Sequence, residues 1–259
     1  MKIYFISSDI KKYKEICKLF PFEIFHKKMD IIEIQGSMEE IVRDKAIRAY
    51  NSILGNKSSK NVGNSNRDTG NIYDGNIYDG NSKDKNIDTN NLDTIKINTS
   101  NIDKSNLDKS NINNKNNMDN RDSEEYFAVL VDDVSLEMKG LDNFPGPYVK
   151  YFLGIGLEKI QKIAFFYGTE CTAICSLGLV YKCGGNVCVI TSEGRTEGNI
   201  IVSDDLGTNE FGFDGIFQPK GYQKSYGEMT VEEKNEISHR AVAVMHMVEK
   251  IKDLGIFMK

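Results

Sequence analysis

Hydrophobic positions at the start of the chain change from a strand-like to a helix-like pattern. Residues 2–7 form an apolar run that predicts a buried strand. Apolar side chains then recur at helical spacing at Tyr13, Ile16, Cys17 and Phe20, which predicts a helix with one buried face. A strand followed directly by an amphipathic helix is typical of α/β proteins.

A second helix is predicted from signals at both of its ends. Ser37, followed three residues later by Glu40, forms a capping box, and Gly55 is well placed to end the helix. The apolar positions between these two signals share one stripe, which we expect to be buried: Met38, Ile41, Val42, Ala46, Ala49, Tyr50 and Ile53.

Further strands and a last helix complete the pattern. Residues 126–131 (YFAVLV) are continuously apolar, and residues 173–181 and 187–191 flank a turn sequence, CGGN, that predicts a hairpin. A long C-terminal helix has an apolar inner face made of Ala241, Val244, Val248 and Ile251. This order of elements predicts a mixed α/β sheet with flanking helices.

Residues 55–122 differ in composition from everything around them. This stretch of 68 residues holds 19 Asn and 10 Asp, and units such as GNIYDGNIYDGN repeat within it. Its isolated Ile and Leu residues match neither a helix face nor a strand face, so it buries too little apolar surface to offset its ordering entropy. We predict a disordered low-complexity insertion in a single domain that spans residues 1–259. An Asn-rich arm that binds a partner is the alternative.

Charge and apolar content exclude several classes of protein. The net charge of -5 argues against a general nucleic-acid binder, which is usually basic. No apolar run approaches the roughly 18 residues needed to cross a membrane, and the N-terminal run is too short for a signal peptide. The five cysteines form no CxxC pair. This favours free thiols in a reduced, cytoplasmic protein over a metal site.

The turn after the first predicted strand is a candidate anion site. Ser7, Ser8 and Asp9 lead into a helix that begins with Lys11 and Lys12. A strand-to-helix turn of small residues presents backbone N–H groups to an anion, and Lys12 adds a full positive charge. A capped helix with two surface lysines explains the same residues without any ligand.

Two adjacent carboxylates follow the YFAVLV run. Asp132 and Asp133 are expected at the carboxyl end of a strand, which faces the ligand crevice in open α/β sheets. Carboxylate oxygens suit Mg²⁺, which binds one or two protein carboxylates together with substrate phosphates. A solvated turn is the alternative. Glu33, ahead of the second predicted helix, is a third acid that could join them, although its spacing alone indicates a surface residue.

Residues 211–240 begin with two aromatics and an acid, Phe211, Phe213 and Asp214, and end with several cations. Aromatic faces can stack on a nucleobase, while Lys, Arg and His can bind phosphates. Thr230 and Glu233 predict the start of a helix. If that helix is continuous, its cationic side chains point in different directions, whereas a break at Ser238 would gather them. Upstream, the rigid loop LDNFPGPY precedes Lys150 and is expected to shape a pocket wall.

Together these segments resemble the inosine triphosphate pyrophosphatase family. The resemblance is carried by KMDIIEIQG, LVDDVSL, FPGPYVKYFL, FGFDGIFQPKGY and EMTVEEKNEISHR, in the family's order and spacing. It covers nearly all of the chain outside residues 55–122. It implies two lobes around a central nucleotide cleft, usually in a homodimer. The implied reaction converts ITP, dITP or XTP to the monophosphate and pyrophosphate, which clears deaminated purines from the nucleotide pool.

The resemblance also implies roles for individual residues. Glu33 and Asp133 would bind Mg²⁺, or alternatively Mn²⁺, and Asp133 or Asp132 would be the base for the attacking water. The triphosphate would be surrounded by Ser7, Ser8, Asp9, Lys12, Lys45 and Lys150. The purine would contact Phe211, Gly212, Phe213 and Asp214, with Phe213 stacking on it, and the pocket would be completed by Lys234, His239 and Arg240.

Three departures from the family pattern affect this interpretation. The phosphate turn is usually Thr-Gly-Asn, so Asp9 adds a negative charge beside a polyphosphate. Val134 stands where the family usually has a hydroxyl side chain. Gly215 replaces a usual proline, and the aromatic at Phe213 is more often Trp or Tyr. The first two changes, at Asp9 and Val134, leave a catalytically weak or inactive nucleotide-binding homologue as the alternative.

Overall fold

The computed structural model contains one mixed seven-stranded sheet with helices on both faces. It describes residues 1–58, 126–183, 186–201 and 211–256. The elements are β1 (Lys2–Ile6), α1 (Ile10–Leu19), β2 (Ile24–Lys27), α2 (Met38–Ser58), β3 (Phe127–Met138), β4 (Pro145–Gly146), α3 (Val149–Leu153), α4 (Leu157–Tyr167), β5 (Glu170–Cys183), β6 (Asn186–Ile200), β7 (Phe217–Pro219), α5 (Val231–Ile237) and α6 (His239–Asp253).

The sheet has a parallel part and an antiparallel part. The strand order is β2-β1-β3-β5-β6-β7, and the short β4 pairs with β3 at the side. β1 pairs in parallel with β2 and β3, whereas the pairs β3–β5, β5–β6 and β6–β7 are antiparallel. This arrangement confirms the predicted mixed α/β fold.

β3 is longer than the predicted strand, and this changes the position of the two aspartates. The parallel pairing with β1 ends at the pair Ile6 and Val131, but β3 continues to Met138 against β5. Asp132 and Asp133 therefore lie inside a strand instead of following its end. Since neighbouring residues in a strand face opposite sides, the two carboxylates leave the sheet in opposite directions.

Helix α2 packs on one face of the sheet and begins at the predicted capping box. Ser37 Oγ accepts a hydrogen bond from the Glu40 N–H at 3.3 Å, and Glu40 Oε2 accepts one from the Ser37 N–H at 2.8 Å. The predicted apolar stripe is buried throughout. Gly55 does not end the helix, which runs to Ser58 because a single glycine costs a helix only about 1 kcal/mol. Residues 59–122 of the predicted insertion lie outside the described part of the chain.

The hairpin of β5 and β6 is confirmed, but the prediction of five free thiols is wrong. Cys183 and Cys188 form a disulfide between these strands, with their Cα atoms 6.0 Å apart. Cys171 and Cys175 are free and buried. Cys17 is free but exposed, and therefore does not belong to the buried face predicted for α1.

Hydrophobic side chains form separate clusters at the two ends of the long strands. Near the parallel part, α1 and α6 cover one face of the sheet and α2 covers the other. At the far end, α3 and α4 pack on β3 through Leu136 and Met138, together with Phe213 and Phe217. These clusters form two lobes. In the described ranges, no helix is long and apolar enough to cross a bilayer.

The C-terminal region contains two helices separated at Ser238. Thr230 and Glu233 form the predicted capping box of α5. Ser238 has an extended backbone, and its hydroxyl accepts a hydrogen bond from the Ala241 N–H at 3.1 Å, which caps α6. The structure thus has the break at Ser238 instead of a continuous helix, and α6 starts with His239 and Arg240.

Candidate active site

A cavity of about 530 Å³ lies between the two lobes, at the carboxyl ends of β1 and of the parallel-paired part of β3. It collects side chains from both sides of the sheet and from both lobes. Every residue predicted for the site lines this cavity except Lys234, which contacts the lining residue Asp214: Ser7, Ser8, Asp9, Lys12, Glu33, Lys45, Asp132, Asp133, Lys150, Phe211, Gly212, Phe213, Asp214, His239 and Arg240.

The first turn of α1 forms one wall of the cavity. Asp9 is the N-cap, and its Oδ1 accepts a hydrogen bond from the Lys11 N–H at 2.7 Å. The Asp9 N–H in turn donates to Ser7 Oγ at 3.0 Å. Asp9 thus stabilises the helix start while it places a carboxylate beside Lys12 in the cavity wall.

Asp132 is an ionised acid held by two cations. Its side chain is 2% exposed, Lys12 Nζ lies 3.3 Å from Oδ2, and Arg240 Nη2 lies 3.2 Å from the same oxygen. Burial alone would raise the pKa of Asp132, but the positive charges of Lys12, Arg240 and Lys45 outweigh it and lower the pKa to about 2. This carboxylate is therefore negative at neutral pH and fixes the positions of both cations.

Asp133 has the opposite environment on the other side of the sheet. Burial raises the pKa of Asp133, and the charges of Glu33 and Asp132 add to this increase, while Lys45 and Lys12 oppose it. Lys45 Nζ lies 2.6 Å from Glu33 Oε1 and 3.1 Å from the Asp132 carbonyl oxygen. Burial alone would lower the pKa of Lys45. The negative charges of Asp133, Asp132 and Glu33 outweigh burial and raise this pKa, so the amine stays charged.

Sequence reasoning missed Glu15, which connects the two ends of the site. Glu15 Oε2 accepts a hydrogen bond from Arg240 Nη1, and Glu15 Oε1 lies 3.3 Å from Lys234 Nζ. Lys234 also contacts Asp214 Oδ2 at 2.6 Å. The available signal was helical spacing, because residues three apart share a helix face and Lys12 precedes Glu15 by three.

Of the two phenylalanines at the aromatic end of the cavity, Phe211 is more exposed than Phe213. Phe213 is only 4% exposed and packs against Phe217 and His239, with ring centroids 5.8 Å away in both cases. Phe211 is partly exposed, and Lys234 Nζ and Arg240 Cζ each lie 5.7 Å from the centroid of its ring. Stacking of a base on Phe213 stays a prediction, and Phe211 presents the more accessible face.

His239 is a buried, neutral imidazole in the cavity wall. Burial lowers the pKa of His239 well below its usual value, and the nearby charges of Arg240 and Lys234 lower it further. Its Nδ1 has no hydrogen-bond partner in the described part of the chain. Because leaving a buried polar atom unpaired is costly, this nitrogen is suited to a hydrogen bond with a bound ligand.

Lys150 enters from the other lobe. The loop that contains a cis Phe144–Pro145 bond leads into α3, where Lys150 is exposed at the cavity edge. Val149 and Leu153 of the same short helix also line the cavity. The predicted role of this loop as a pocket wall is consistent with that placement.

The fold and the cavity define an α/β protein with a charged ligand site at the carboxyl edge of its sheet. The Ham1 family profile matches residues 81–250. A protein from Encephalitozoon cuniculi named inosine triphosphate pyrophosphatase is 30% identical over 256 residues, which cover 98% of this chain and 96% of the relative. A protein of the same name from Schizosaccharomyces pombe is 38% identical over 121 residues, covering 46% and 62%. The chain belongs to the Ham1 family.

Solved structures agree with this fold. A HAM1 protein from Coxiella burnetii superposes with a TM-score of 0.60 at 17% identity, covering 98% of this chain and 100% of that one. The Ham1 protein of Staphylococcus aureus gives a TM-score of 0.54 at 16% identity, again covering 98% and 100%. At these identities the likeness supports the architecture alone.

Proposed function

We propose that this protein is a nucleoside triphosphate pyrophosphatase that converts ITP, dITP and XTP to their monophosphates and pyrophosphate. The observation that carries the proposal is the division of one cavity into two chemically different ends. One end combines Lys12, Lys45 and the α1 N-terminus with carboxylates. The other end has the aromatic Phe211 and a neutral His239. A phosphate chain and a purine base match these two environments.

The two neighbouring aspartates support a division of labour in the reaction. Asp132 is ionised and paired with Lys12 and Arg240, so it positions cations that can stabilise charge on the phosphates. Asp133 has a raised pKa and no salt bridge in the described part of the chain, which suits it to accept a proton from the attacking water. Acids whose environments separate their pKa values in this way are typical of acid–base sites.

Glu33 and Asp133 are the residues we propose to hold Mg²⁺, with Mn²⁺ as an alternative. The described residues contain no cluster of three acidic, His or Cys side chains, but Mg²⁺ requires only one or two protein carboxylates when phosphates complete its shell. Burial raises the pKa of Asp133 and repulsion from Glu33 adds to the increase, and a cation held by both carboxylates would relieve that repulsion. When bound, the metal would neutralise phosphate charge as a Lewis acid.

Discrimination among purines is proposed to depend on His239 and its neighbours. A neutral buried imidazole with an unpaired Nδ1 can form one specific hydrogen bond with a purine edge. A base that cannot complete this bond leaves a buried polar group unsatisfied, which produces strong discrimination. Asp214 and Lys234, paired at 2.6 Å, lie beside the same end of the cavity.

Asp9 and Val134 favour a second candidate, a homologue that binds nucleotides but turns them over weakly. Both residues line the cavity, so the extra charge and the missing hydroxyl face the ligand space. Pyrophosphate release from ITP, dITP, XTP, ATP and GTP, each with Mg²⁺ and with EDTA, distinguishes the candidates. Metal-dependent release from only the first three supports the pyrophosphatase. ITP binding without release from any nucleotide would favour the weak homologue.

We also propose a homodimer in the cytoplasm, where deaminated nucleotides arise in the nucleotide pool. The family resemblance supports the dimer, and the free thiols of Cys17, Cys171 and Cys175 support a reducing compartment. Sedimentation velocity at several protein concentrations tests the dimer, and a single species of 29.2 kDa at all of them would contradict it.

A further inference from the structure

A histidine behind the α1 turn contacts the main chain of the proposed phosphate site. His26 lies on β2 and pairs in register with Phe5 of β1, so its ring can reach past the end of β1. There its Nε2 lies 2.9 Å from the carbonyl oxygen of Ser7. A carbonyl can only accept a hydrogen bond, and Nε2 must therefore carry the proton.

The ring of His26 is held in this position by Tyr13 of α1. The two rings are stacked, with centroids 4.8 Å apart and planes inclined by 22°. Tyr13 is fixed in turn, since its hydroxyl donates to the Ile24 carbonyl oxygen at 3.1 Å and its ring stacks on Phe5. This support leaves the imidazole little freedom to turn away from Ser7.

The contact determines which way the next peptide group points. Ser7 C=O and Ser8 N–H belong to one planar trans peptide unit and point in opposite directions. When His26 binds the Ser7 carbonyl, the Ser8 N–H is turned away from His26. His26 lies outside the cavity lining, whereas Ser7 and Ser8 belong to it. The Ser8 N–H is thus directed toward the ligand side of the turn.

We infer that His26 is a positioning residue that orients the Ser7–Ser8 peptide to bind a phosphate group. The inference rests on the proposed function of this turn. Two neighbouring N–H groups are already engaged within the turn, because Asp9 N–H donates to Ser7 Oγ and Lys11 N–H donates to Asp9 Oδ1. His26 therefore acts through the one peptide of the turn whose orientation it controls.

Two matched variants separate the hydrogen bond from the packing. His26→Phe keeps an aromatic ring against Tyr13 but removes the donor. His26→Gln removes the ring but can place an amide N–H donor near the position of Nε2. Binding of inorganic tripolyphosphate in Mg²⁺ buffer is measured by calorimetry. Turnover of ITP gives KM and kcat, and thermal melts report stability.

A positioning role predicts that the two variants rank in one order for tripolyphosphate affinity and in the opposite order for melting temperature. His26→Phe should weaken tripolyphosphate binding roughly three- to tenfold, the effect of one lost hydrogen bond, and raise KM for ITP more than it lowers kcat. His26→Gln should bind within about twofold of the wild type even where its melting temperature is lower. If His26→Phe does not fold, His26→Leu removes the donor at similar volume.

Three results would overturn the inference. Equal tripolyphosphate affinity of wild type and His26→Phe would remove the positioning role while the proposed function stands. Equal weakening in His26→Gln and His26→Phe, following the loss of melting temperature, would leave only a packing role. Failure of the wild type to bind tripolyphosphate would contradict the phosphate turn itself, and with it both proposals.

Discussion

The buried carboxyl group of Asp214 should make the stability of this protein fall as the pH rises toward neutrality. Asp214 is 2% exposed, and burial raises its pKa from 3.8 to about 6, although Lys234 opposes the increase. A group with a raised pKa in the folded state contributes stability below its unfolded pKa. That stability is lost as the pH rises through the folded pKa.

The size of the effect follows from the two pKa values. Each pKa unit corresponds to about 1.36 kcal/mol, so the full loss between the protonated and ionised limits is about 3 kcal/mol. Between pH 4 and pH 7 the expected loss is about 2.4 kcal/mol, with roughly half of the full loss reached by pH 5. The lower end of this window overlaps the titration of ordinary carboxylates, so the contribution of Asp214 has to be isolated with a matched variant.

The matched variant is Asp214→Asn, which has no titrating carboxyl at this position. Urea unfolding is followed by circular dichroism at pH 4, 5, 6 and 7, since the chain has no tryptophan for fluorescence. The difference in unfolding free energy between wild type and variant removes the contributions of all other acids. From pH 4 to pH 7 the wild type should lose about 2.4 kcal/mol of unfolding free energy relative to the variant.

A difference that is constant from pH 4 to pH 7 would refute this reasoning. It would mean that Lys234, at 2.6 Å from Asp214, compensates the burial of the carboxylate completely. A difference that changes in the opposite direction would mean that the ion pair dominates and that the pKa of Asp214 is lowered in the folded protein.

Three further substitutions test the site. Asp133→Asn should lower pyrophosphate release from ITP by at least about a hundredfold, because it removes the proposed base. The circular dichroism spectrum should be unchanged. Near-normal turnover would contradict that role. Asp9→Asn keeps the α1 cap but removes a charge, so tripolyphosphate should bind roughly threefold to tenfold more tightly by calorimetry; weaker binding would mean that the carboxylate helps to hold the ligand. Gly194→Ala would place a Cβ 2.2 Å from the His239 carbonyl oxygen. The substitution should lower the unfolding free energy in urea by about 1–3 kcal/mol and raise KM for ITP. Wild-type values of both would show that α6 moves freely.

The fold was largely predictable because hydrophobic periodicity reports burial directly. The α2 stripe and the β5–β6 hairpin follow from local patterns of a few residues, and the cap at Ser238 is one of the two alternatives that such a pattern left open. The error that most affects the site arises because a partner distant in sequence changes a local outcome. β3 continues beyond residue 131 because β5 offers it a long antiparallel partner, and no signal within the YFAVLV run contains that information.

The candidate site was predictable as a set of residues but not as a set of interactions. All of the site residues that the motifs identified line the cavity, apart from Lys234. They did not show that Asp132 and Asp133 leave the sheet on opposite faces, which depends on both lying within β3. Nor did they show which aromatic is accessible, since the burial of Phe213 depends on Phe217 and His239.

Glu15 shows why such interactions escape a sequence pattern. It looks like one acid on a lysine-rich helix, and its partner Arg240 is 225 residues away in the chain. In the fold it joins a buried series of alternating charges, in the order Asp214, Lys234, Glu15, Arg240, Asp132 and Lys12. Three acids balance three bases in this series, so removing any one leaves the series with an uncompensated net charge. The base end and the phosphate end are thus electrostatically coupled through Glu15, and a substitution at either end should be felt at the other.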